Sequence, residues 1–390
     1  MHYYIKAQTF LAKSGVKTGG YLEIKDGKFG RYLPPETDLS AATIIDKKDA
    51  IIAPGLVDTH IHGYAGHDVM DADPAGLAEI SQGLLSCGVT SYLPTTLTAP
   101  PQKLAQVCQL LGEKAHEISG AKIQGIYLEG PYFTTEHKGA QNPAYMRDAD
   151  LVELESLQAY AKGMIKKIAL APERPGALEF TKQAVKSGVK VCLGHSNATY
   201  KEAMAAVDAG ADIFVHTYNG MSGLNHRAPG MVGAAFASDA YTELICDGHH
   251  VHLGAISALL KAKKEKTVLV TDCMQAGGMP EGEYMLGEFL VEVKGGAARL
   301  KEGGSLAGSV LELFTAVKNL VDWGLCSLSE AFEMASELPA KSAGIADVCG
   351  SIQNGHDADF LVVSPTLELK ETYVDGQSVY HAVCKIKLEK

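Results

Sequence analysis

The sequence lacks most features that would tie a chain to a membrane, a nucleic acid or an oxidising compartment. No stretch approaches the ~18 consecutive apolar residues that a membrane-crossing helix needs. The opening "MHYYIKAQTFLAKSG" has no basic segment leading into a sustained apolar core, so no secretory leader is expected. No block of five or more lysines and arginines occurs, and 35 basic residues against 46 acidic ones leave a formal net charge of −11. That balance argues against nucleic acid or an anionic bilayer as the main partner, although a local pocket can still take an anionic small molecule. The eight cysteines are scattered and form no CxxC pair, a usage that fits reduced thiols in the cytoplasm. Low-complexity segments are missing too.

What is present is a core-forming chain. Of its 390 residues, 46% are apolar and 21% charged, ample for a sizeable interior. The length is generous for one ordinary domain but is reached by α/β barrels with small additions. Three β-like segments open the chain ("YYIKAQTFLA", "GGYLEIKDGKFGRYL" and "ATIIDKKDAIIAPG"), the second with a hairpin signal at Asp26-Gly27. A similar pattern closes it, in "ADFLVVS" and "LELKETYVDGQSVYHAV". One small sheet domain built from both ends is therefore expected.

The middle alternates between short apolar runs and helical patterns. The runs are "AIIAPGLVDTHIH", "GVTSYLPT", "IQGIYLEG", "IKKIALAPE", "VKVCLGHS", "DIFVHTYN", "ELICDGHH" and "TVLVTD". Helices are expected over Pro74–Ser86, Pro101–Ile118, Ala149–Ala161 and Thr199–Ala209, and later over Ser309–Trp323 and Ser329–Leu338. Eight strands alternating with helices suggest parallel βα units closing into a barrel, with a doubly wound open sheet as the competing architecture. After the eighth run a β-like excursion covers Tyr284–Leu300, with a turn at Gly295-Gly296.

Ligand-type side chains gather at the ends of these runs. The first ends in His60 and His62, the third in Glu129, the fourth in Glu173, the fifth in His195 and the sixth in His216. The seventh ends in Asp247 with His249 and His250, and the eighth in Asp272, while the second offers only Thr95 and Thr96. In a βα barrel the strand ends converge on one mouth, and residues i and i+2 of a strand face the same side, so His60 and His62 can point into one space. Singly, each has a bland explanation: an HxH pair facing water, a hydrogen-bonded structural histidine, or a helix cap at Glu129 or Asp272. Jointly they favour a metal site. Imidazole and carboxylate without thiolate suit Zn²⁺, Fe²⁺ or a similar divalent ion, which lowers the pKa of bound water from about 15.7 to about 7 and polarises a carbonyl. Asp272, alone at the end of the last run, is the natural general base.

The motifs "PGLVDTHIHG", "YLEGP", "LGHS", "HTYN" and "VTD" resemble the amidohydrolase superfamily of metal-dependent barrels. More closely, "LEGPYF…HKGAQNP", "GHSNAT", "HTYNGMSGLNHRAPG", "DGHHV" and "SLAGS" are similar to the N-acetylglucosamine-6-phosphate deacetylases. That resemblance implies a TIM-like (β/α)8 metal-dependent hydrolase barrel over residues 53–350, with a small β-sandwich from residues 1–52 and 351–390. It implies Glu129, His195 and His216 as ligands of a principal metal, and His60 and His62 as ligands of a second one bridged by Glu129. Asp272 would take a proton from the attacking water and return it to the departing amine, releasing glucosamine 6-phosphate and acetate in amino-sugar breakdown and cell-wall sugar recycling. Ala140, Gln141, Asn219, Gly220, Leu306, Ala307 and Gly308 match positions lining the sugar and acetyl sites. Arg227 and His250 match phosphate anchors, which suits guanidinium chemistry. Because that arginine can come from a partner subunit, a homodimer is implied.

Gln141 departs from the pattern where many relatives have histidine, and Cys273 follows the aspartate where a smaller residue is common; Cys273 is read as packing. His249 and His252 are read as structural or rim residues, and His67 and His226 have no assigned role. Competing readings are another amidohydrolase, acting on a cyclic amide or deaminating a base, and an inactive barrel serving as a binding module. Many such amidohydrolases bridge their metals with a carboxylated lysine on a middle strand. Here the corresponding candidate is Glu129.

Overall fold

The computed structural model describes residues 1–382; the end of the expected C-terminal sheet segment, with Cys384, lies outside the described residues. Eight parallel strands form the centre: β1 (Leu56–Ile61), β2 (Val89–Thr96), β3 (Ile126–Tyr132), β4 (Ile165–Leu170), β5 (Lys190–Leu193), β6 (Ile213–Phe214), β7 (Tyr241–Ile245) and β8 (Thr267–Val270). Each pairs with the next in parallel register. At the C-terminal end the ring closes where Asp272 N donates to His60 O at 2.9 Å and His62 N donates to Cys273 O at 2.8 Å. The strands are buried almost throughout, which is why they read as continuous apolar runs rather than alternating ones. The open-sheet alternative is thereby set aside.

The first apolar run is not one strand but two. Ile51–Pro54 belongs to a different sheet, and the backbone changes partners at Gly55, whose N–H goes to Asp359 O while the N–H of Leu56 goes to Gly88 O, both at 3.0 Å. A Cβ at Gly55 would lie 2.1 Å from Thr90 Oγ1, so only glycine fits this crossover. An unbroken hydrophobic run carries no mark of such a change.

Ten of the strands outside the barrel form two sheets. One runs Lys28–Leu33, Tyr21–Lys25, His2–Lys6, Ile44–Asp46. The other runs Gln377–His381, Leu369–Val374, Phe360–Val363, Ile51–Pro54, Thr9–Ala12, Gly15–Thr18. Segments from the two ends of the chain thus pair directly, Phe360–Val363 antiparallel to Ile51–Pro54. Their shared apolar core includes Ile5, Phe10, Phe29 and Phe360.

Helices follow the strands with conventional starts. Asp73 caps Pro74–Leu85, and capping boxes open Tyr200–Asp208 (Thr199 with Glu202) and Leu328–Ala335 (Ser327 with Glu330). The helix expected from Ser309 begins instead at Leu313. Ser309 is held back by the barrel: its N–H donates to Asp272 O at 2.7 Å, and its carbonyl accepts from Met274 N at 3.0 Å. The excursion after β8 is a three-stranded antiparallel sheet of Gly282–Leu286, Phe289–Lys294 and Ala297–Leu300.

Candidate metal centre and cleft

Two groups of ligand-type atoms meet at the barrel mouth, and they share one residue. His60, His62 and Glu129 form the first, and Glu129, His195 and His216 the second; within each group the candidate ligand atoms lie within 4.8 Å of one another. His60 and His62 come from β1 and its end, Glu129 from β3, and the other two from the loops after β5 and β6. All five are at most 7% exposed. Glu129 Oε1 is 3.2 Å from His195 Nε2 and 3.4 Å from both His216 Nε2 and His60 Nε2, and Glu129 Oε2 is 3.4 Å from His62 Nε2. Asp272 Oδ1 lies 3.1 Å from His62 Nε2 and 3.5 Å from His60 Nε2.

These contacts are not those of a finished hydrogen-bond network. The Nε2 atoms of His195 and His216 face each other at 3.1 Å, and the buried His60 Nε2 has no hydrogen-bond partner. Buried imidazoles whose lone pairs converge are repaid by a shared cation. Ligand atoms around a tetrahedral ion with bonds of about 2.0–2.1 Å lie about 3.3 Å apart, close to the separations found. The other ring nitrogens are tied to fixed acceptors that leave Nε2 as the free face: His195 Nδ1 to His137 O (2.8 Å), His216 Nδ1 to Asn219 O (3.0 Å) and His62 Nδ1 to Thr95 O (3.2 Å). The residues fit a divalent metal.

The electrostatics show that the two carboxylates attract a cation here, a proton or a metal ion. Burial would lower the His62 pKa, but hydrogen bonds and charges from Asp272 and Glu129 outweigh it and hold the group up at about 9. Burial would raise Asp272, yet His60 and His62 bring it down to about 2, and His60, His195 and His216 likewise depress Glu129. Both carboxylates are therefore anions at neutral pH. The backbone is also strained here: His195 (φ 45°), His216 (φ 27°) and Asp272 (φ 49°) occupy the left-handed region, which non-glycine residues adopt at a cost that clusters at functional sites. Glu129 and Asp272 thus face the cluster rather than cap helices.

A cleft of about 410 Å³ opens above, lined by His62, Glu129, His195, His216 and Asp272 together with Ala140, Gln141, Asn219, Gly220, His250, Leu306, Ala307 and Gly308. A Cβ on Gly220 (φ 58°) would come within 3.0 Å of His195 Nδ1, so glycine there keeps the ligand ring in place. Arg227 is exposed and is not among the lining residues; its backbone N–H donates to Asn225 Oδ1 at 3.1 Å. His250 Nδ1 is bound to Asp247 Oδ2 at 2.6 Å. His252 caps the helix Leu253–Lys263.

Several contacts escape sequence reasoning. Gln141 lines the cleft, but its amide also donates to Glu129 Oε2 and accepts from Thr98 N, so it braces the shared ligand. Thr95 fixes His62, as above. Glu173 stands away from the cluster, tying loops through Ser196 Oγ (2.7 Å), Asn197 N (2.7 Å) and Thr134 Oγ1 (3.0 Å). Cys273 is fully buried, with its thiol pKa pushed well up by burial, so it packs rather than attacks. Lys167, on β4, does not bridge the cluster; it pairs with Glu243 on β7. The seven described cysteines are all free, and among the described residues no helix is long and apolar enough to cross a membrane.

The amidohydrolase family model matches residues 51–379. An N-acetylgalactosamine-6-phosphate deacetylase of Escherichia coli O157:H7 is 40% identical over 385 residues, covering 97% of this chain and 99% of that protein. An N-acetylglucosamine-6-phosphate deacetylase of Vibrio furnissii is 42% identical over 340 residues, covering 87% and 85%. The crystal structure of N-acetyl-D-glucosamine-6-phosphate deacetylase from Mycobacterium smegmatis superposes with a TM-score of 0.92 at 30% identity, covering 97% of this chain and all of that one. A closed eight-stranded barrel, paired histidine–glutamate groups at its mouth and these likenesses agree: the chain belongs to the amidohydrolase family.

Proposed function

We propose that this chain is a deacetylase that hydrolyses N-acetylglucosamine 6-phosphate to glucosamine 6-phosphate and acetate, a step in amino-sugar breakdown. The observation that carries the reading is Asp272, an anionic carboxylate buried against two histidine–glutamate groups at the floor of a sugar-sized cleft. A divalent ion bound there, Zn²⁺ or Fe²⁺ in one or two copies, supplies Lewis acidity to the amide carbonyl and acidifies water. Glu129, His195 and His216 would hold the principal ion, and His60 and His62 with Glu129 a second. Asp272 takes the proton from the attacking water as the C–O bond forms. It then delivers that proton to the nitrogen as the C–N bond breaks, so the amine leaves neutral. Asn219, Gly220, Ala140, Gln141 and Leu306 to Gly308 shape the space for the sugar and its acetyl group, and His250 faces the phosphate.

Arg227 is the second phosphate anchor in this reading. Its absence from its own chain's cleft supports delivery from a second copy, and hence a homodimer. The dispersed free cysteines favour the cytoplasm. The test is acetate release by purified protein, with metal content measured on the same sample; a metal-loaded preparation that releases none overturns the assignment. Arg227→Ala should lower kcat/KM on the phosphorylated sugar about 10–100-fold, the worth of one charge-assisted contact, and leave unphosphorylated N-acetylglucosamine nearly unaffected. Equal losses on both would remove it from phosphate binding. The similarity to the N-acetylgalactosamine-6-phosphate deacetylase favours a second reading, the 4-epimer as substrate, so both sugar phosphates belong in the assay.

A further inference from the structure

Beneath the mouth lies a second buried ionic group that the hydrolytic scheme does not use. Glu243 projects from the middle of β7 and Lys167 from the middle of β4, both fully buried, and they are paired to each other inside the barrel. Lys167 Nζ also lies 3.4 Å from Thr59 O and 4.3 Å from the centre of the Tyr127 ring. Two ions carried into a barrel core cost several kcal/mol each before they attract one another, by an order-of-magnitude reckoning, and apolar side chains of similar size often serve stability as well. What the pair touches suggests why it is there. Glu243 Oε2 is 3.0 Å from His60 Nδ1, and the same oxygen accepts the backbone N–H of His216 at 3.3 Å. The Glu243 carbonyl accepts the N–H of Thr217 at 2.8 Å. One carboxylate therefore reaches a candidate ligand of each histidine–glutamate group.

We infer that Glu243 is a positioning residue for the metal centre, with Lys167 as its orienting counterion. Glu243 holds the proton of His60 on Nδ1, which leaves Nε2 as a lone pair aimed at Glu129, and it anchors the left-handed backbone of His216. Lys167 occupies the other carboxylate oxygen, so the oxygen facing His60 can only accept. The inference rests on the metal centre proposed above.

The geometry predicts how substitutions behave. In Glu243→Gln, Lys167 claims the amide oxygen and turns the NH₂ toward His60. That forces the ring proton onto Nε2, where it blocks the metal. Removing the lysine as well, in Lys167→Met/Glu243→Gln, frees the amide to present its oxygen to His60 again. The experiment measures Zn²⁺ affinity by competition with a chromophoric chelator, on wild-type protein and both variants stripped of metal, with circular dichroism to confirm folding. Glu243→Gln is expected to weaken Zn²⁺ binding at the His60–His62 group 10–100-fold, about the range for partners of ligating histidines, and the double variant to recover most of that loss at the same group. Relief of an unpaired buried Lys167 would by itself restore stability in the double variant, so the variants are also unfolded in denaturant without metal. Zn²⁺ affinity that only tracks stability overturns the inference, and a Glu243→Gln loss of affinity larger than its loss of stability supports it. Unchanged affinity in a folded Glu243→Gln protein, or a double variant weaker than the single, overturns the inference. Should the variants fail to fold, ¹⁵N-histidine spectra of zinc-loaded wild-type protein decide: a slowly exchanging proton on His60 Nδ1 supports it, and an unprotonated Nδ1 overturns it. Wild-type protein that takes up no Zn²⁺ refutes the metal centre itself, a separate failure.

Discussion

Inside the sandwich Phe360 stacks on Tyr373 with ring centroids 4.2 Å apart, whereas at the barrel mouth His195 and His216 turn ring nitrogens toward each other across 3.1 Å. Both sites are buried, and both are dense with rings. In the sandwich the contact satisfies itself, because apolar faces need only be removed from water. At the mouth the same degree of burial leaves lone pairs facing lone pairs, on backbone held at positive φ, and something from outside the chain must complete it. The joint between the two regions is a third case. There Lys122 meets Asp357, Asp359 and Asp375 within 3.0 Å, so the chain supplies both signs of charge itself. A functional site differs from a structural one here by what it leaves open.

The comparison breaks if mouth and sandwich respond alike to substitution. The largest effect is expected from Glu129→Ala, which removes the carboxylate common to both groups: elemental analysis after dialysis should find the metal gone, and full occupancy would contradict the ligand role. Asp272→Asn comes next. Asparagine tolerates the left-handed backbone at this position, so the variant should fold and hold metal while kcat drops about 10²–10⁴-fold, the usual worth of an acid–base group; near-normal turnover would end that assignment. Phe360→Ala tests the other side. Denaturant unfolding should show a loss of about 3–5 kcal/mol for this buried ring, with metal content and kcat of the folded protein unchanged, and altered metal content would mean that the two regions are coupled. The mildest change is expected from His60→Gln combined with His62→Asn, which should halve the metal and leave measurable turnover. Loss of all metal would place the pair in the principal site.

Much of this is legible in the sequence. The eight apolar runs are the eight barrel strands because a strand buried on both faces must be apolar along its length, and ligand-type residues stand where those runs stop because the barrel mouth lies there. Gly55 was not legible as a change of sheet, since the residues on either side of it are equally apolar. Nor was the late start of the helix at Leu313, because Ser309 serves the Asp272 backbone from 37 positions away in sequence. Glu173 and Glu243 show the limit most plainly. The first looked like a site residue by its strand-end position and ties loops instead. The second lies in mid-strand, where nothing marked it, and meets His60.

The sequence by itself determined the alternation of strand and helix, the set of histidines and carboxylates, and their order around a barrel, because periodicity and residue chemistry are local properties. Only the tertiary structure decided that Gln141 braces Glu129, that Glu243 reaches His60 from beneath, and that Arg227 stands apart from its own chain's cleft. Those are distances between residues far apart in the chain, and they exist only once the barrel has closed.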